Sequence, residues 1–285
     1  MASAKGVRPL FHTSALLAVP LTLALGGCDL SLAHLTGRAT EEWTHTYQLA
    51  PGGTVRIGNT NGRIEMEAGD GSTVEVRAER IARAVTDDGA RELLPRITIR
   101  EDIKPDRVDI ETERMSGVLV GAGFEVRYHV RAPKGASVEA SNTNGSVVVT
   151  GFSGKVSAQT TNGSVTTKDL AGAVDAHTTN GSVNVDLASV GTGKIALRTT
   201  NGGLTLRVPS DAKADVSASW TNGGISVSDV KMEVSERSRR RFEGRMNGGG
   251  AAIELHTTNG GIHIRSRGGA VESTTDADRP DGERR

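Results

Sequence analysis

The sequence predicts an all-β protein, a repetitive β-solenoid (β-helix-like) whose coils turn at Thr-Asn-Gly. Three observations carry that expectation. One tripeptide recurs at near-constant spacing, apolar and polar residues alternate on both sides of it, and the composition favours turns over helices. Glycine is abundant at 36 residues and aromatics make up only 3%. That balance suits many turns and a core of small and β-branched side chains.

The tripeptide Thr-Asn-Gly places its asparagine at Asn61, Asn144, Asn162, Asn180, Asn201, Asn222 and Asn259. Each copy has an apolar residue six positions before the asparagine and another three after it, as in Val138/Val147, Val174/Val183 and Ile253/Ile262. A second apolar residue often follows two positions on, as Val185 follows Val183. Period-two alternation marks a strand with one buried face. Asn-Gly is a pair that tolerates positive φ, so the chain bends there and these asparagines read as structural turns. Each unit is therefore strand, tight turn, strand.

Asn-Gly between alternating runs is also a hairpin signal, so stacked β-hairpins or a sandwich are the alternative. Two features favour the solenoid. Further apolar residues, Phe152, Leu170, Leu187, Val208 and Val230, fall after the second strand and supply a third inward side. The middle copies are spaced by 18 or 21 residues, which would stack Asn144, Asn162, Asn180, Asn201 and Asn222 in that order into an amide ladder.

The flanking chain divides as follows. Lys5 and Arg8, then the apolar run from Ala15 to Leu25, then Leu25-Gly26-Gly27-Cys28, read as a signal peptide over 1–27. The apolar run is too short for a membrane span, which needs about 20 residues. Leu-Gly-Gly-Cys resembles the lipobox of bacterial lipoproteins, which implies that Cys28 is lipidated and becomes the mature N-terminus. No other cysteine exists, so the mature chain can hold no internal disulfide. Residues 28–42 read as a tether and 43–265 as the domain, with a capping part at 43–137 and repeats at 138–265. The capping part holds strand-like runs at Thr73–Ala78, Ile97–Ile99, Val108–Glu111 and Phe124–Val130, and a short helix at Asp87–Leu94. Solenoids need such atypical ends to cover their cores. A loop is expected from Ser235 to Gly250, and 266–285 reads as a disordered tail.

The run Phe124-Glu-Val-Arg-Tyr-His-Val-Arg-Ala-Pro-Lys-Gly, the Thr-Asn-Gly-x-apolar units and the closing Gly-Gly-Gly-Ala-Ala-Ile-Glu-Leu-His-Thr-Thr-Asn-Gly-Gly-Ile resemble a known family. It is the bacterial "putative adhesin" domain of unknown function, also called toastrack-like. The resemblance runs from about Tyr47 to Ile264 and implies a solenoid-like, extracytoplasmic fold. It carries no catalytic residues over.

The residues themselves argue against chemistry. No His-Glu-x-x-His or paired-cysteine motif is present, and no Gly-x-Ser-x-Gly elbow. His177 and His256 share a repeat position, and His256 and His263 are candidates for neighbours across a turn, but a third metal ligand is missing. No metal or cofactor is expected. Formal net charge is zero, so nucleic acid is not an expected partner. The most distinctive surface feature is a basic cluster, Arg237, Arg239, Arg240, Arg241 and Arg245, a candidate binding loop for phosphate or carboxylate groups. Trp220 is a candidate contact for a sugar or partner, set against burial between coils.

The sequence thus points to a non-catalytic lipoprotein of the cell envelope, on its periplasmic or surface side. It would be held to a membrane by its lipid anchor and act as a binding or scaffold module. A glycan or an envelope protein is the expected partner. An accessory role in envelope-stress sensing is the second reading, and an enzyme acting on envelope polysaccharide the third.

Overall fold

The computed structural model describes residues 35–113 and 121–268. The expected signal peptide, Cys28 and residues 269–285 lie outside the described residues.

The regular structure of the described residues is almost entirely strand. In order it runs β1 (Gly37–Gln48), β2 (Thr54–Asn61), β3 (Ile64–Gly69), β4 (Thr73–Ala84), α1 (Asp87–Leu93), β5 (Ile99–Lys104), β6 (Arg107–Thr112) and β7 (Ala122–Pro133). The repeats follow as β8 (Ser137–Asn144), β9 (Val147–Thr150), β10 (Val156–Asn162), β11 (Val165–Leu170), β12 (Val174–Asn180), β13 (Val183–Leu187), β14 (Ile195–Asn201) and β15 (Leu204–Val208). The last elements are β16 (Ala214–Ser228), β17 (Met232–Arg237), β18 (Arg241–Met246) and β19 (Ala251–Ser266).

Parallel pairing between equivalent strands decides for the solenoid over hairpins. Val138, Val156, Val174, Ile195 and Ile253 sit side by side on one wall. Val147, Val165, Val183, Leu204 and Ile262 do so on the other. All of these are buried, and fully burying a Val or Ile side chain is worth about 1.5–3 kcal/mol. The third side closes as expected over buried Phe152, Leu170, Leu187 and Val208, with backbone bonds such as Ala171 N–H to Phe152 O at 3.1 Å.

The coil order departs from the chain order. β16 does not stack on β14 and β15. β19 lies between them, paired with β14 and β15 on one side and with β16 on the other. The last repeat in sequence is thus the last but one in space. Two connections cross to make this possible, and polar side chains bind them. Asn247 donates its amide to Ser210 O at 3.1 Å and Ala212 O at 2.8 Å. The Asp215 carboxylate accepts from Gly250 N–H at 3.2 Å and Arg245 Nε at 3.1 Å.

The N-terminal end is closed by antiparallel strands. One wall continues from β2 to β6 and β5, the other from β3 to β7, β4 and β1. β1 begins at Gly37, so the expected tether is strand from that residue onward. α1 starts where Thr86 Oγ1 accepts from Gly89 N–H at 3.1 Å, a side-chain cap on an otherwise free donor. It buries Ala90 and Leu93. Tyr47 and His45 on β1 both reach Glu101 on β5, at 2.6 and 3.2 Å, so the two walls are latched together at this end.

The expected loop from Ser235 to Gly250 is largely a hairpin. β17 and β18 pair antiparallel, and β18 pairs antiparallel with β16. Phe242 and Met246 are buried there, and their alternation was the strand signal that the charges masked.

Candidate functional site

The repeats build one continuous feature, the polar corner where the two walls meet. Its asparagines form a single hydrogen-bonded ladder in the order Asn61, Asn144, Asn162, Asn180, Asn201, Asn259 and Asn222. From Asn144 onward each Nδ2 donates to the Oδ1 of the asparagine before it in this order, at distances of 2.8–2.9 Å. The ladder was expected, but its order was not, because Asn259 intervenes between Asn201 and Asn222.

The asparagines do not take the positive-φ conformation expected of them. The glycine after each does: Gly163 and Gly181 have φ of 150°, and Gly202 has 155°. A side chain there is barred twice, since a Cβ on Gly181 would sit 2.0 Å from Gly163 O. Glycine makes the corner, and asparagine is left free to stack.

A second row lies just inside the corner and escaped the sequence reading. Thr160, Thr178, Thr199 and Thr257 are buried. Each donates its hydroxyl to a glycine carbonyl of the neighbouring coil, at 2.9–3.1 Å. In the first coils Asn59 and Asn142 replace them and donate through their amides. The available signal was a donor side chain two residues before the ladder asparagine in every copy but one. That exception is Trp220. It is buried, so it is not an exposed contact for a sugar or partner. It stands in the last coil among the described residues, and its ring supplies apolar cover that a threonine lacks.

Outside the corner, polar residues face solvent in register. Thr143, Thr161, Thr179, Thr200 and Thr258 each precede a ladder asparagine, and Ser146, Ser164 and Ser182 follow at the second position beyond it. Parallel coils repeat such side chains about every 4.8 Å. From Asn144 onward the surface is an uncharged ribbon of hydroxyls and amides, while in the first coil Arg63 stands at the serine position.

The basic cluster does not act as one site. Arg241 is paired with Glu243 and with Glu236, and Arg245 with Asp215. Gly250 N–H first, then Arg245, hold the Asp215 carboxyl below its ordinary range. Arg237, Arg239 and Arg240 are exposed at the hairpin tip. The histidines are also apart. His256 Nδ1 meets Ser219 Oγ at 2.9 Å on one wall, His263 lies on the other wall beside Gly261, and Arg198 stands between His177 and His256 in register. Among the described residues no three His, Cys, Asp or Glu side chains group to hold a metal.

The Toastrack DUF4097 family model matches residues 97–265, more than half of the chain. The chain belongs to that family. The Toastrack match covers the coils from β8 onward and β5 to β7 before them. A solved structure described as a putative cell adhesion protein from Clostridium sporogenes ATCC 15579 is similar over 80% of this chain and 100% of its own, at 10% identity and a TM-score of 0.43. A putative adhesin from Bacteroides fragilis NCTC 9343 is similar over 79% of this chain and 97% of its own, at 11% identity and a TM-score of 0.36. No curated protein matches the chain. No described helix is long and apolar enough to cross a membrane.

Proposed function

We propose that this Toastrack protein is a non-catalytic binding or scaffold module of the cell envelope, held to a membrane by lipid on Cys28. The observation that supports this reading is the corner ribbon. It is continuous through all seven asparagine coils, carries hydroxyls and amides in register, and is uncharged beyond the first coil, where Arg63 takes the serine position. Such a row matches an extended polymer with many weak, repeated hydrogen bonds rather than a small substrate in a pocket. A glycan is the ligand class that fits.

Glycan-array binding of the full chain tests the ligand. Replacing Thr161, Thr179 and Thr200 together by valine should abolish binding while leaving the melting temperature nearly unchanged. Binding that survives the triple replacement would remove the corner as the site. The anchor is tested separately: Cys28→Ser should stop uptake of labelled fatty acid and release the protein from membranes. Unaltered labelling would sink the lipoprotein reading.

A further inference from the structure

The two walls end on four edges, and three of them are charged. β5 carries Arg100, Glu101, Asp102 and Lys104, β17 carries Glu233, Glu236 and Arg237, and β1 carries Arg38, Glu41 and Glu42. Charged side chains are the usual guard of a strand edge against unwanted pairing. The fourth edge is the second half of β16, Gly223–Ser228 (GGISVS), with neither charge nor proline.

Its backbone groups point outward. In earlier coils the N–H of the glycine after asparagine bonds the next coil, as Gly181 does to Asn201 O at 2.9 Å. The next apolar residue does the same, as Val183 does to Gly203 O at 3.0 Å. In β16 these positions are Gly223 and Ile225, with Val227 in phase two residues on. Among the described residues β16 has β19 on one side of this stretch and no strand on the other. Ile225 and Val227 are only half-buried, though packed on the core.

Charge lies at one end of this edge. Trp220 N–H bonds Arg240 O at 3.1 Å, which sets the hairpin turn beside the upstream end of Gly223–Ser228. Arg237, Arg239 and Arg240 are exposed there, while Arg241 and Arg245 are committed to carboxylates of their own.

We propose that Gly223–Ser228 accepts an extended segment of a partner protein as an added strand. Its β-branched residues would lie in line with Ile225 and Val227, and its carboxylates beside Arg237, Arg239 and Arg240. The proposal rests on reading the chain as a binding module and names a protein partner for it. Backbone pairing supplies affinity in strand addition, and alternate side chains supply selectivity. A second copy of the chain does not fit this edge. On the other wall β18 and β17 continue past β16, so this end is stepped and does not offer a second copy a flat face to stack on.

The test pans a random peptide display library against the full chain, then measures binding of the enriched peptides. They should alternate β-branched residues and carry Asp or Glu at one end. Val227→Pro removes a donor that faces solvent, a place where an edge strand tolerates proline, and should weaken binding at least about tenfold. The triple variant R237E/R239E/R240E should abolish the preference for acidic ends. Hydrogen exchange on the unaltered chain gives an independent readout, with slowed exchange at Ile225 and Val227 when peptide is bound. Absence of enriched peptides, peptides without alternation, or unchanged exchange at these amides would overturn the proposal. A concentration-dependent dimer lost in Val227→Pro would assign the edge to a second copy instead. Peptide binding gained only after deletion of residues 269–285 would assign it to the chain's own segment. Absence of glycan binding by the unaltered chain, with intact peptide capture, would sink the corner reading alone.

Discussion

Asn259 donates its side-chain amide to Asn201 at 2.8 Å across 58 residues of sequence, while Asn222, much nearer in the chain, bonds the far side of Asn259. The coil that the chain makes last is therefore interior to the stack. In an ordinary solenoid, removing the last repeat trims an end and leaves the others paired. Here it separates β16 and its hairpin from β14 and β15.

Deleting residues 251–285 should accordingly abolish cooperative unfolding of the C-terminal coils rather than shorten the domain. Circular dichroism melts would show a broad or much lowered transition. A truncated chain that melts sharply within a few degrees of the full one would contradict the interior position of β19.

At the corner, glycine should matter more than asparagine. Gly181→Ala places a Cβ against Gly163 O at 2.0 Å in a backbone with φ of 150°, and should cost about 3 kcal/mol or more. Asn180→Ala breaks two amide bonds, to Asn162 and from Asn201, both at 2.9 Å. The ladder is exposed at Asn180 and water replaces much of what is lost, so the cost should be about 1 kcal/mol. Denaturant titration of both variants checks the order, and equal losses would count against the glycine argument.

Thr167 stands in register between Val149 and Val185. Its hydroxyl is buried with no hydrogen-bond partner among the described residues. Thr167→Val keeps the shape and removes an unsatisfied polar atom, so it should stabilise the domain by about 1 kcal/mol. A lower melting temperature would mean that the hydroxyl has a partner in solution.

The latch between Tyr47 and Glu101 should give the N-terminal end an alkaline limit. Burial first, then the bond to the Glu101 carboxylate, push the Tyr47 phenol well above its ordinary range. A proton held more tightly in the folded state stabilises that state below the unfolded phenol's value of about 10 and is lost as pH rises beyond it. Unfolding monitored from pH 8 upward should show stability falling above that point. In Tyr47→Phe the fall should be smaller, from a starting value lower by about 1 kcal/mol. Superimposable profiles would exclude the latch.

The sequence made the coil legible because each part of it is local. Alternation fixes which side chains turn inward, Asn-Gly fixes the corner, and Phe152, Leu170, Leu187 and Val208 announce the third side. The N-terminal helix at Asp87 was legible as a short helix, and the structure adds its cap at Thr86 and its buried Ala90 and Leu93. The hairpin of β17 and β18 was not. Its five arginines read as a candidate binding loop, and only pairing with β16 shows that Phe242 and Met246 turn inward. The charge cluster likewise divides only once Asp215, Glu236 and Glu243 are seen beside Arg245 and Arg241.

By itself, then, the sequence determined the repeating unit, since strand phase and turn chemistry are set by neighbours a few residues apart. Only the tertiary structure decided how the units are ordered. Every coil presents the same Asn, Gly and apolar positions to the coil above and below, so a local pattern cannot say which copy stacks on which. The crossing held by Asn247 and Asp215 lets β19 lie between β15 and β16, and with that choice it also leaves Gly223–Ser228 at the open edge.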